Sequence, residues 1–251
     1  MMTSVSSPDD AKDAKGRLAT TLRTANLSER IADAIVDSIA SGVLKPGQRL
    51  IDAEIASDLA VSRLPVREAF KTLATQGIIE LTLHRGARIA EIGDDRIACV
   101  LAVRTAVEQA AFAKAAGVLK AHGDPKALRD LDTIIESMKR AEERSDLQAL
   151  NLLDIAFHRT IVAAARDPFL LALWEALALH LRIVFTRETK VLPRPIPYAS
   201  VHLAIRYAIV ESSEDELGML LARHIAGKSE IDPPRAWNAD RKSKTNRRRK
   251  T

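Results

Sequence analysis

From Asp94 to Gly227 the sequence carries one helical pattern after another, most of them opened by a residue able to cap it. This run narrows the possible folds more than any other feature of the chain. Asp94 can cap a helix reaching about Leu119. Asp124-Pro125 opens a second, with Leu128, Leu131, Ile135 and Met138 inside, and Asp146 a third that runs to Ala165. Asp167-Pro168 opens a fourth, to about Thr189. An aspartate at such a position accepts bonds from the free N–H groups of the first turn, and a proline just inside the start has no N–H to leave unpaired. Residues 192–197 (LPRPIP) place prolines at alternate positions, which excludes a helix and predicts a linker. A fifth helix is predicted over about 198–211. Ser213 and Glu216 have capping-box spacing and open a sixth that ends near Gly227. The 40 alanines, set against 10 glycines and 10 prolines, favour this helical reading. Six helices joined by short loops predict an all-α antiparallel bundle.

The preceding stretch has a different grammar. Ser28 can cap a helix whose Ile31, Ile35 and Ile39 recur at four-residue steps, with Gly42 at its end and Pro46-Gly47 as a turn. Two short helical patterns follow, over 52–59 and 65–76, with Pro65 at the first helical position of the latter and only Ala60 to Leu64 between them. Two helices so closely joined predict a helix-turn-helix. After Gly77, Ile78 to Leu83 reads as a strand, His84-Arg85-Gly86 as a turn and Ala87 to Ile92 as a returning strand, a hairpin that would form a wing. The expected fold class is mainly α: an N-terminal winged helix-turn-helix followed by the bundle. The expected organisation is a flexible arm at 1–26, a winged helix-turn-helix at 27–92, a helical domain at 93–230 and a basic disordered tail at 231–251.

Net charge alone would mislead about partners. Of the overall +5, seven basic residues and no acid fall in 241–251, which leaves −2 for residues 1–240. Residues 28–91 hold eight basic and nine acidic side chains, so position matters here and balance does not. Arg63, Arg67 and Lys71 stand four residues apart and share one face of the second short helix. An arginine can grip guanine O6 and N7 through two N–H groups, or hold phosphate. His84, Arg85 and Arg88 on the wing are expected to reach the neighbouring backbone or minor groove. No stretch approaches 18 uncharged apolar residues and the polar start has no apolar leader, so neither a membrane span nor secretion is expected. A single cysteine, Cys99, forbids an internal disulfide, fits a reducing cytoplasm, and is expected to be a buried small residue.

The order Val61-Ser62-Arg63-Leu64-Pro65-Val66-Arg67-Glu68-Ala69-Phe70, then Leu73, Gly77 and Ile78, resembles the winged-helix domain of GntR-family transcription regulators. Gly42, Pro46-Gly47 and Leu50 before it, and Arg85-Gly86 after it, extend the resemblance over about 28–91. Two positions depart from the family pattern: Leu64 stands where a capping Thr is usual, and Ala60 replaces a common Gly in the turn.

In the helical half, Asp154 and His158 are an i, i+4 pair on one helix face, and His202 and His224 come from later helices that a bundle can bring alongside. One carboxylate and three imidazoles suit a divalent Zn, Ni, Mn or Fe ion. Asp154-Ile155-Ala156-Phe157-His158-Arg159, with Ile161, Ala164, Asp167-Pro168 and Leu170, then His202-Leu203-Ala204-Ile205 and Arg223-His224-Ile225, resemble the FCD ligand-binding domain of the FadR-like GntR subfamily. The resemblance implies Asp154, His158, His202 and His224 as metal ligands, and Arg104 pointing into the cavity to clamp a carboxylate of an organic-acid effector. Val201 and Arg166 depart from the pattern, which has an acid and a Gly there. Four histidines, 158, 180, 202 and 224, recur at 22-residue spacing, which makes His180 a rival to His202. Arg104 has an alternative partner in Glu108 one turn on; Arg182 and Arg206 are further basic candidates for the cavity; His122 is expected to face solvent; Phe169 and Trp174 are expected in the core.

The resulting expectation is a DNA-binding transcription regulator, a repressor modulated by a small organic acid. It would act as a homodimer on a pseudo-palindromic operator in double-stranded DNA with half-sites about 34 Å apart. The main alternative is a metal-dependent enzyme using the Asp/His cluster, although no nucleophile motif or general base accompanies those residues. A second is a nucleic-acid-binding structural protein driven by the basic tail.

Overall fold

The computed structural model describes residues 27–82, 86–189 and 197–226. The expected arm, the wing turn with His84 and Arg85, the prolines before Pro197 and the basic tail lie outside the described residues. Two compact units divide between Ile92 and Gly93.

The first unit begins with helix α1 over 27–40, which takes in Leu27 ahead of Ser28 and buries Ile31, Ile35, Val36 and Ile39. A short strand β1 (Arg49–Leu50), helices α2 (Asp52–Asp58) and α3 (Arg63–Thr75), and strands β2 (Ile79–Thr82) and β3 (Gly86–Ile89) follow. The strands form one antiparallel sheet in the order β1-β3-β2, with Leu50 opposite Ala87 and Ile79 opposite Ile89. The wing therefore has three strands, and β1, only two residues long, carries no alternation that a sequence could display. Gly86 opens β3 instead of closing the turn. Its φ is +89° and a Cβ there would lie 2.5 Å from the Leu50 carbonyl oxygen, so the approach of β3 to β1 requires glycine.

Helix α3 starts two residues earlier than expected. Ser62 is its N-cap, without a side-chain cap bond, so Pro65 is the third helical residue and Leu64, 59% exposed, lies within the first turn. Proline fits there because first-turn N–H groups have no acceptor within the helix. Leu64 therefore removes no cap. Val66, Ala69, Phe70 and Leu73 bury the inner face of α3 against the rest of the unit.

The second unit is the six-helix bundle: α4 (Asp94–His122), α5 (Pro125–Glu143), α6 (Leu147–Ala164), α7 (Pro168–Thr189), α8 (Tyr198–Glu211) and α9 (Glu214–Ile225). Asp124 accepts from the Ala127 N–H at 3.0 Å, Asp146 from Ala149 at 3.0 Å and Asp167 from Phe169 at 3.0 Å. Ser213 and Glu216 close a reciprocal capping box. At α4 the N-cap is Gly93; Asp94 and Asp95 sit in the first turn, where their charge favours the positive end of the helix. Phe112, Leu131, Ile135, Met138, Phe157, Ile161 and Trp174 form the centre of the core. Two expectations are corrected here: Cys99 is exposed, and Phe169 is 69% exposed on the outer face of α7. Among the described residues one helix, α7, is long and apolar enough to cross a membrane by length and composition, yet it carries Glu175 and Arg182.

Candidate DNA-reading face and candidate metal centre

Because the apolar residues of α3 face inward, Arg63, Arg67 and Lys71 face out, with side chains 55%, 60% and 65% exposed. Asp52, the first residue of α2, holds both arginines. Its Oδ1 accepts from Arg63 Nη2 at 2.9 Å, and its Oδ2 accepts from Arg67 Nε at 2.6 Å and from Arg63 Nε at 3.3 Å. The hydrogen bond from Arg67, joined by those of Arg63 and opposed by partial burial, lowers the Asp52 carboxyl below its ordinary value and keeps it ionised. Among the described residues Arg67 is bonded through Nε alone, and its side chain stays 60% exposed. Lys71 pairs with Glu68 at 2.8 Å. Arg88 donates from Nη1 to the Gly47 carbonyl and so braces the loop before β1. His84 and Arg85 are outside the described residues. Asp52 was not singled out from the sequence, since its partners lie 11 and 15 residues away.

In the bundle, Asp154 and His158 on α6, His202 on α8 and His224 on α9 each bring one ligand atom into a cluster within 4.8 Å. Asp154 Oδ1 lies 3.0 Å from His202 Nε2, 3.6 Å from His224 Nε2 and 3.9 Å from His158 Nε2. The His158 and His224 Nε2 atoms are 3.1 Å apart. His180, the rival, is buried on α7 and is not a member of this cluster.

The outer bonds decide which atoms these rings offer. His202 Nδ1 lies 2.7 Å from the Tyr198 carbonyl oxygen, which can only accept, so Nδ1 carries a proton and Nε2 is turned toward Asp154 Oδ1 at 3.0 Å. His158 Nδ1 lies 2.6 Å from the Glu108 carboxylate, which likewise places the proton on Nδ1. Burial lowers the His158 imidazole from its ordinary value and drives His224 down to about 3, so both are neutral bases. Burial alone would raise the Asp154 and Glu108 carboxyls; the Arg104 guanidinium beside them reverses this, holding Asp154 well below its usual range and Glu108 at about 2. The cluster thus gathers three imidazole nitrogens and one carboxylate oxygen within 4.8 Å, which is the donor set of a divalent cation site.

Arg104 is only 2% exposed and lies inside the bundle. Its Nε donates to Glu108 at 2.8 Å and its Nη2 to Asp154 Oδ2 at 3.2 Å, while the guanidinium stands 5.1 Å from the Phe185 ring centre. Both Glu108 and Asp154 therefore hold it. Arg206 pairs with Asp132, and Trp174 donates from Nε1 to Glu108 at 2.9 Å. The Arg104–Glu108 pair is the alternative the sequence offered, whereas the bonds of Glu108 to His158 and of Trp174 to Glu108 were not visible in the sequence, because they span 50 and 66 residues. A cleft of about 630 Å³ lies between α4 and α9, lined in part by Gln109, Phe112, Glu214, Asp215 and Met219. Phe112 also contacts the His158 ring, at 5.5 Å between centres.

Residues 27–89 match the family of bacterial regulatory proteins called the gntR family, and residues 99–227 match the FCD domain. The chain is 30% identical over 206 residues, 82% of its length and 88% of the relative's, to a protein named "Probable D-xylose utilization operon transcriptional repressor" in Paenarthrobacter nicotinovorans. It is 29% identical over 194 residues, 77% of this chain and 71% of the relative, to the gluconate operon transcriptional repressor of Bacillus subtilis (strain 168). The fold is that of E. coli McbR/YncC, with a TM-score of 0.69, 21% identity, and coverage of 80% of this chain and 94% of that one. The protein belongs to the GntR family of bacterial transcription regulators, in the FadR-like branch whose second domain is an FCD domain. Its domains and the relatives named here are those of regulators, not of enzymes.

Proposed function

We propose that this protein is a cytoplasmic homodimeric repressor that reads a pseudo-palindromic operator through Arg63, Arg67 and Lys71 of α3, with Arg88, His84 and Arg85 of the wing on the neighbouring backbone. Its grip on DNA is set by a small organic acid bound at a divalent ion held by Asp154, His158, His202 and His224. The observation that carries the reading is the outward, exposed arginine pair on α3, held by Asp52. Phe169, Ala172, Leu173 and Ala176, exposed on one face of α7, support docking of a second copy. The relatives named repressors of xylose and gluconate operons support repression of sugar or sugar-acid genes.

Charge supports the class of effector. Arg104, Glu108 and Asp154 sum to −1 inside the bundle. A divalent ion makes that +1, and one carboxylate brings the buried set back to neutrality. Since Arg104 is already held by two protein carboxylates, the ion supplies the main attraction for the effector anion, and Arg104 orients Asp154 from behind.

The test has two stages. Purified full-length protein is used to select fragments from a random duplex library at fixed salt; a shared inverted repeat is expected, and enrichment without sequence preference would reject operator reading. The selected duplex is then titrated in the presence of Zn, Ni or Mn with a panel of mono- and dicarboxylates. Typical coupling of about 1–3 kcal/mol predicts a 5- to 150-fold shift in operator affinity for the effector. No shift with any acid in the panel would reject this effector class.

A further inference from the structure

We propose that Glu108 is the positioning residue of the metal centre: it fixes the His158 ring with Nδ1 protonated and Nε2 bare toward the ion, and the strength of ion binding depends on it. This rests on the metal-binding reading above. Glu108 is fully buried on α4 and is reached by three donors from three helices. Arg104 Nε and Trp174 Nε1 both donate to Oε1, at 2.8 and 2.9 Å, and His158 Nδ1 donates to Oε2 at 2.6 Å. The two donors on Oε1 have little freedom. Trp174 is packed in the core with no exposure, and Arg104 is held by Asp154 as well. The carboxylate cannot turn away from His158, so the tautomer of that ring is set before an ion arrives. A carboxylate behind a ligating imidazole also raises the basicity of the opposite nitrogen.

His158 has this carboxylate and His202 the Tyr198 carbonyl as outer partner, whereas among the described residues the Nδ1 of His224 is buried without a hydrogen bond. The centre is therefore built from the α6 and α8 side, and among the described residues Glu108 is the outer partner of a histidine that acts through its side chain. An isosteric glutamine at 108 keeps an oxygen for Arg104 and Trp174 but turns its NH₂ toward His158 Nδ1. That nitrogen must then accept, the proton moves to Nε2, and an N–H points into the centre where a lone pair is needed.

The test combines two measurements on the full-length chain. Long-range ¹H–¹⁵N spectra of the metal-free protein report the His158 tautomer, and calorimetric titration with Zn, Ni or Mn reports affinity. Wild type is expected to show Nδ1–H at His158; Glu108→Gln is expected to show Nε2–H and to bind the ion about 10- to 100-fold more weakly. If the wild type binds none of these ions, the metal reading falls and this proposal with it. If the wild type binds and Glu108→Gln binds equally, with Nδ1–H retained, this proposal alone is overturned. Should Glu108→Gln not fold, Trp174→Phe removes one anchor of Oε1 with no change of charge. A several-fold loss of ion affinity is then expected, and an affinity equal to wild type overturns the proposal.

Discussion

Asp52 Oδ2 lies 2.6 Å from Arg67 Nε, and the same carboxylate takes Arg63 Nη2 at 2.9 Å, so a single acid on α2 sets both guanidiniums of α3. An exposed arginine that is already held gives up less freedom when it meets a base, and ordering such a side chain at an interface costs about 0.5–1.5 kcal/mol. Asp52→Asn is therefore expected to lower the ratio of operator to scrambled-duplex affinity by up to about 5- to 150-fold, given two released arginines. Affinity for scrambled duplex should rise, because one negative charge near phosphate is gone. Binding isotherms for both duplexes at one salt concentration measure this; an unchanged ratio would remove Asp52 from the reading head.

The same pair predicts a pH dependence of stability. Asp52 is held below its ordinary value in the fold, chiefly by Arg67, so its ionised form stabilises the first unit above the unfolded carboxyl value of about 3.9. That contribution is lost as pH falls through the lower folded value. Wild type should be more stable than Asp52→Asn at pH 7, and the gap should close below about pH 4. Urea unfolding followed at several pH values, with probes in the first unit, tests the sign. A gap that widens toward acid would contradict it.

Arg67→Ala separates reading from folding. The side chain is 60% exposed and its described bond is to Asp52 alone, so the unfolding midpoint should move little. A good bidentate arginine–base pair is worth about 1–3 kcal/mol of discrimination, which predicts a 5- to 150-fold loss of selectivity at one base position in each half-site. Lys71→Ala, on the proposal that Lys71 meets phosphate, should weaken all duplexes about equally and flatten the salt slope by about one unit. If the two variants behave alike, the division of labour on α3 is wrong.

What the sequence displayed was decided by short range. Asp124, Asp146, Asp167 and Ser213 bond to N–H groups two or three residues ahead, so spacing alone announced four helix starts. The buried face of α3 was legible for the same reason. What stayed hidden was set by distance along the chain. β1 exists because Leu50 meets Ala87, Asp52 matters because Arg67 is 15 residues on, and Glu108 reaches His158 across 50 residues and Trp174 across 66. Cys99 and Phe169 were misjudged because apolar character was read as burial, whereas parts of the apolar helices α4 and α7 face outward. His180 shared the 22-residue spacing of the other histidines, but the helical faces that meet at the cluster are those of α6, α8 and α9.

Ala60 predicts a stabilising substitution. It has φ +51° in the turn between α2 and α3, a left-handed conformation that costs a residue with a Cβ about 1–2 kcal/mol. Glycine removes that cost and adds back about 0.4–1 kcal/mol through the freer unfolded chain. Ala60→Gly should therefore stabilise the first unit by roughly 0.5–1 kcal/mol, read as a higher urea midpoint with unchanged slope. Destabilisation would mean that the Ala60 methyl packs favourably enough to outweigh the strain.

The two rival histidines give opposite expectations when the ion is removed. With ion at about a hundred times its Kd, binding to the folded state alone raises stability by about 2.7 kcal/mol, so a chelator should lower the melting temperature of the helical unit. His202→Ala deletes the Nε2 that lies 3.0 Å from Asp154 and should abolish most of that chelator-sensitive shift. His180→Ala should keep it, since His180 lies outside the cluster and its imidazole is lowered by burial and by Arg96 instead. Melting curves of the three proteins with Zn and with chelator decide the matter: a shift that survives in His202→Ala and vanishes in His180→Ala would move the ion to α7 and dissolve the site described here.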